Sequence, residues 1–129
     1  MKVRYSLLIF IGAILLIASG CQQNKTGPKE LLDKYFSAAV KQDYATAYSC
    51  YYDAYKAKVT QEEYIRHRKE ASVLQSYKVI SVKQEGDTAQ AEVQLVFGPS
   101  DKLKRKESVT TTITEELIKE NGTWKIKVW

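Results

Sequence analysis

The sequence is poor in the residues from which reactive sites are usually built. It holds one histidine and two cysteines in 129 residues, and a lone imidazole and a lone thiol from separate segments do not make a zinc site. No glycine-rich phosphate loop, Gly-x-Ser-x-Gly turn or acidic calcium loop occurs. Neither metal nor cofactor is therefore expected. Internal repeats and low-complexity tracts are also lacking. The 20 basic and 15 acidic side chains are nearly balanced, without the concentrated basic stripe of a dedicated nucleic-acid binder. The length suits one domain and is short for two good cores.

A long hydrophobic run is missing too. Lys2 and Arg4 precede an uncharged stretch from Tyr5 to Ile17, thirteen residues long, where a bilayer-crossing helix needs roughly 20. The small residues Ala18, Ser19 and Gly20 follow. They would pack poorly against lipid, so an uncleaved anchor helix fits less well than a secretory signal peptide. Ile17-Ala18-Ser19-Gly20-Cys21 resembles the lipobox of bacterial lipoproteins, with Ala18 where Leu is usual. The resemblance implies cleavage between Gly20 and Cys21 and diacylglycerol on the Cys21 sulfur, often with acylation of the new amino group. Two or three acyl chains hold a domain stably, at about 0.8 kcal/mol per buried methylene. The expected organisation is a signal peptide over 1–20, a lipidated tether over 21–27, and one domain over 28–129. The protein would then sit on the extracytoplasmic side of a bacterial membrane. Removing residues 1–20 takes Lys2 and Arg4 along, leaving 18 basic and 15 acidic side chains and a net charge of about +3. Cys50 is then left without a partner thiol and reads as a buried, inert one.

Pro28 suits the first turn of a helix, and Leu31, Leu32, Tyr35, Phe36, Ala39 and Val40 recur at helical spacing. Asp43 is placed to cap a second helix carrying Tyr44, Ala47, Tyr48, Tyr51 and Tyr55. Thr60 and Glu63 have capping-box spacing and open a third helix to about Glu70. Tyr64, Ile65 and Ala71 are expected inward there, with Arg66, Arg68 and Lys69 largely outward. The period then changes. Tyr77 to Val82 reads as a strand, and Thr88 to Phe97 alternates apolar and polar residues strictly. After Gly98-Pro99-Ser100-Asp101, Lys104 to Ile118 reads as a long strand that must bend, with a bulge expected near Glu115-Glu116. Asn121-Gly122 is a strong hairpin signal leading to Trp124, Ile126 and Val128. Three helices followed by a four-stranded antiparallel meander predict an α+β fold, its helices packed on one face of a curved sheet to leave a cone.

The run Phe36–Tyr48, the segment Val59–Tyr64 and the closing Glu120-Asn121-Gly122-Thr123-Trp124-Lys125-Ile126 together resemble the nuclear transport factor two-like superfamily. The pattern is also similar to small bacterial lipoproteins of that fold and to the N-terminal, non-catalytic domain of some penicillin-binding proteins. The resemblance covers about residues 28–129 and implies a cone-shaped domain, often dimeric. That fold hosts both enzymes and binding modules, so it does not choose between them.

An enzyme of this fold would need a base inside the cone. His67 lies in the cationic run Arg66–Lys69, which reads more simply as a solvated helix face. Glu92 alternates outward. Glu115 shares the parity of Val109, Thr111 and Ile113 and is the best candidate for a buried acid, unless a bulge turns it to solvent. The tyrosines are the compositional oddity, nine in all with five between Tyr44 and Tyr55. Tyr44, Tyr48, Tyr51 and Tyr55 form a stripe that could line a pocket or a dimer face, though a stripe covering the sheet is the simpler reading. Lys102, Lys104, Arg105 and Lys106 crowd a hairpin end, where they would either keep an edge strand soluble or meet an anionic lipid surface or cell-wall polymer. The favoured reading is a membrane-anchored, non-catalytic module binding an envelope protein or small apolar ligand. A lyase or isomerase with a carboxylate base, and a homodimeric structural module without ligand, are the alternatives.

Overall fold

The stripe beginning at Pro28 forms α1 (Pro28–Val40), whose Leu31, Leu32, Tyr35, Phe36, Ala38 and Ala39 are buried. A computed structural model of the chain describes residues 27–128. The expected signal peptide, the expected cleavage site at Gly20 and Cys21, and all of the expected tether but Gly27 lie outside the described residues. Asp43 caps α2 (Tyr44–Ser49) as expected: its carboxylate accepts from the Thr46 N–H at 3.3 Å and from the Thr46 hydroxyl at 2.6 Å. The capping box at α4 (Gln61–Glu70) is also formed, with Glu63 N–H on Thr60 Oγ1 at 3.2 Å and Thr60 N–H on Glu63 Oε2 at 3.0 Å.

The single second helix is corrected to two. The chain leaves α2 at Cys50 and re-enters a helix only at α3 (Asp53–Lys58). The cause is tertiary. Ile126 donates its N–H to the Cys50 carbonyl at 2.8 Å and accepts from the Tyr52 N–H at 3.0 Å, so residues 50–52 lie beside the last strand as a short parallel bridge. They cover part of an edge that would otherwise present unpaired backbone groups.

The strands are β1 (Leu74–Glu85), β2 (Thr88–Phe97), β3 (Val109–Glu120) and β4 (Thr123–Lys127), hydrogen-bonded in that order as an open antiparallel sheet. Asn121 and Gly122 both take positive φ, 49° and 79°, as their two-residue hairpin requires. The bulge expected at Glu115-Glu116 is absent, for β2 and β3 pair in unbroken register from Thr88↔Ile118 to Phe97↔Val109. Irregularities fall in β1 instead, where Gln75 and Ile80 are passed over by the pairing. An extra residue at Ile80 lets Val79 and Val82, three apart, both meet the core while Ile80 is exposed. The segment before β3 is also corrected. Residues 98–108 form a loop closed by a Ser100↔Arg105 bridge rather than the start of a long strand.

One core lies between the helices and a single sheet face, from Leu32 and Ala47 to Val93, Leu117 and Ile126. Phe36 stacks on Tyr77 with ring centroids 5.4 Å apart, and the Tyr77 hydroxyl reaches Asp33 Oδ1 at 3.2 Å. Ala39 lies near Leu74. α1 therefore runs antiparallel to β1, with its C-terminal end over the end of the sheet that carries the 98–108 loop. Ile126→Ala keeps the backbone bonds to Cys50 and Tyr52 but empties a fully buried position. It should lower unfolding stability by about 2–5 kcal/mol in urea titrations, whereas an unchanged midpoint would mean that β4 is not docked on this core.

Candidate functional site

Helical spacing places Tyr64 and Arg68 one turn apart on the same face of α4, and Tyr64 is buried beside the rings of Tyr48 and Tyr51. Arg68 follows it inward, which corrects the outward placement expected from the Arg66–Lys69 run. Its Nη2 donates to Tyr35 Oη at 2.8 Å and its Nε to Tyr64 Oη at 3.4 Å. The guanidinium also lies over the Tyr64 ring, 5.6 Å from its centroid. Tyr35 and Tyr51 share a 2.6 Å hydroxyl–hydroxyl bond. Arg68, Tyr35 and Tyr51 thus form one connected hydrogen-bond network centred on the Tyr35 hydroxyl. Burial, above all, pushes the Tyr35 and Tyr51 hydroxyls up from their ordinary values, so both are neutral donors and acceptors.

The expected tyrosine stripe divides in this setting. Tyr51 belongs to the Arg68 cluster, and Tyr55 packs on its ring at 4.5 Å. Tyr44 is buried and lines a small cavity of about 30 Å³ with Tyr35, Leu74 and Arg68. Tyr48 ties α2 to the start of α4 by donating to the Val59 carbonyl at 2.6 Å. The sequence reading places Tyr35, Tyr64 and Arg68 on their helices but does not bring them together as a site. The four-residue step from a buried tyrosine to an arginine was the available signal. Cys50 is fully buried, its thiol pushed up by burial and directed at the Thr46 carbonyl at 3.5 Å.

Glu115 sits opposite Ala91 in the β2–β3 register, on the core face with Ile113 and Leu117. The small Ala91 leaves room for its carboxyl. Burial pushes Glu115 up to about 7, partly offset by the Arg68 charge. No ion pair within 4.0 Å reaches it among the described residues.

Beyond the cluster, at the end of the sheet carrying the 98–108 loop, a groove of about 490 Å³ opens between α4 and that loop. Arg68 forms part of its wall, with Phe97, Leu103, Lys102, Arg105 and the exposed His67. Arg105 holds the loop in shape, donating from Nη2 to the Gly98 carbonyl at 2.6 Å and to Ser72 Oγ at 3.2 Å. A second depression of about 340 Å³ lies at the opposite end of the sheet, rimmed by Lys83, Glu85 and Gln90. Neither is lined by Glu115. Among the described residues no group of three or more His, Cys, Asp or Glu is placed to hold a metal ion, and no helix is long and apolar enough to cross a membrane.

The Glu115 environment has a pH signature. The folded carboxyl keeps its proton up to about 7, while the unfolded chain loses it near the ordinary value of 4.5. Between those values the unfolded state binds fewer protons, so this residue lowers stability progressively as pH rises and holds a constant penalty above pH 7. Glu115→Gln should be nearly neutral at pH 4 and stabilising at pH 8, on the order of 2 kcal/mol. Thermal melts at the two pH values read this directly, and equal effects at both would place the carboxyl in solvent.

No protein-family model and no curated protein matches the sequence. Solved structures do match in fold. A SEC-C motif-containing protein from Rhodopseudomonas palustris is similar at 13% identity and TM-score 0.65, over 81% of this chain and 77% of that one. Another, from Psychrobacter arcticus, matches at 15% identity and TM-score 0.59, over 76% of this chain but 56% of its own. An NTF2-like protein of unknown function from Pseudomonas putida matches at 14% identity and TM-score 0.53, over 76% and 78%. At such identities the likeness concerns architecture alone, and with four antiparallel strands under a layer of helices the chain has the nuclear transport factor two-like (NTF2-like) fold.

Proposed function

We propose that this chain is a lipid-anchored extracytoplasmic lipoprotein whose domain serves as a non-catalytic binding module at the cell envelope. The observation that carries the binding part is the placement of the two charged groups drawn into the core face. The cation, Arg68, borders an open groove, whereas the carboxylate, Glu115, borders neither large cavity. A general base must come within about 3 Å of the proton it removes, and an anchoring cation must reach a ligand's anion. Of the two, the cation is the one that lines the groove. The location rests on the charged start, the short apolar run and the lipobox-like Ile17–Cys21 segment.

The two parts fit together spatially. The tether joins the domain at Gly27, at the N-terminal end of α1, and the groove lies beyond the opposite end. Residues 22–27 span at most about 20 Å. A domain so anchored turns the groove away from its own membrane, toward soluble ligands or proteins of the envelope rather than the lipid head groups beneath it.

The enzyme reading draws support from one observation, the Glu115 carboxyl pushed up to about 7, where a general base works best at neutral pH. Native mass spectrometry of wild type and Glu115→Gln separates the readings. A binding module retains the same ligand in both proteins. An enzyme accumulates substrate in the variant alone, and a ligand-free structural dimer gives twice the chain mass with nothing bound. For the anchor, Cys21→Ala should abolish palmitate incorporation and either release the protein from membranes or leave its precursor uncleaved. Continued labelling of the variant would refute the assignment of Cys21.

A further inference from the structure

Two guanidinium groups line the same groove, and neither has a carboxylate within 4.0 Å among the described residues. An ion pair at its wall, Lys102 to Glu70 at 3.8 Å, joins two well-exposed side chains. Arg105 is occupied by neutral oxygens, the carbonyls of Gly98 and Glu107 and the hydroxyl of Ser72. Arg68 is occupied along one edge only. A guanidinium has five N–H donors in a plane. Nε and Nη2 share the side edge, and these are the atoms that meet Tyr64 and Tyr35. The end edge, Nη1 with the second hydrogen of Nη2, has no acceptor among the described residues. That edge has the two parallel donors that match a carboxylate or a phosphate. The tyrosines fix its direction by holding the other edge, and being neutral they do not themselves cancel its charge. Phe97 and the 62%-exposed Leu103 supply apolar surface beside it.

We propose that this groove binds a single anionic group, carboxylate or phosphate, carried on a short apolar body, with the free Nη1–Nη2 edge of Arg68 as the anchor and Phe97 and Leu103 as the apolar walls. The proposal rests on the binding-module reading and gives it a ligand class. It requires both halves of the ligand: the anion to meet the fork, and the apolar body to cover Leu103.

Isothermal titration of the full chain in phosphatidylcholine nanodiscs, against empty nanodiscs as the blank, tests this with four probes: hexanoate, hexyl phosphate, hexanol and acetate. Hexanoate or hexyl phosphate should saturate at one per chain, and the tighter of the two identifies the anion. Hexanol and acetate should each bind at least about tenfold more weakly. Arg68→Gln should weaken the anionic probe by about tenfold or more, and Arg68→Lys, which keeps the charge without the fork, by less. Leu103→Asp alters an exposed position and should leave the melting temperature unchanged while weakening binding, so it stands as the test if Arg68→Gln fails to fold. Hexanol binding as tightly as hexanoate, or full affinity in the folded Leu103→Asp protein, would overturn the ligand class while leaving a binding module in place. Saturation by none of the four would overturn the groove as a site for such ligands. Neither result bears on the anchor, which the Cys21→Ala labelling reads separately.

Discussion

A positive charge drawn part-way into an apolar core is the constraint around which this domain is organised. Moving a guanidinium out of water costs several kcal/mol unless hydrogen bonds replace its hydration. Arg68 finds those bonds on tyrosine hydroxyls rather than on a carboxylate, each charge-assisted contact contributing about 1.5–3 kcal/mol. The oxygens that serve it come from separate parts of the chain. Tyr35 lies on α1 and Tyr64 on α4, while Tyr51, behind Tyr35, lies on the link that docks against β4. Satisfying one side chain thereby ties three segments together, and ring contacts of 5.4 Å between Tyr35 and Tyr51 and between Tyr51 and Tyr64 fill the space around it.

The choice of neutral partners has a functional consequence. A carboxylate at the same place would have closed the electrostatics and left a structural ion pair. With hydroxyls, the site keeps a net positive charge facing the groove, while Glu115 opposite Ala91 is held toward its neutral form by burial. Affinity for anions and reluctance of the nearby acid to ionise are thus two sides of one apolar environment. The direction of α1 adds the third element, separating the groove from the end of the domain at which a membrane tether would join.

Much of the architecture was legible in the sequence because it depends on local signals. Strict alternation from Thr88 to Phe97, the Asn121-Gly122 turn, the Asp43 cap and the Thr60–Glu63 box each specify their element without long-range help. The misread features are those set by distant partners. Tyr44, Tyr48, Tyr51 and Tyr55 keep helical spacing straight through the break at residues 50–52, since the break comes from Ile126, far along the chain. The bulges lie at Gln75 and Ile80, where β1 must follow the packing of Val79 and Val82, and not at Glu115-Glu116, where parity alone proved sufficient. The candidate site was half legible: Glu115 could be placed by parity, but Arg68 was masked by its charged neighbours. Only its four-residue distance from Tyr64 distinguished it from a solvated side chain.

The central claim, that Arg68 is held among tyrosine hydroxyls, is most directly tested by ¹H–¹⁵N NMR of the arginine side chains, of which the chain has four. The account predicts a slowly exchanging Nε–H resonance at neutral pH that disappears in Arg68→Gln and exchanges faster in Tyr64→Phe. An Arg68 Nε–H that exchanges as fast as that of exposed Arg66, with no response to Tyr64→Phe, would contradict it.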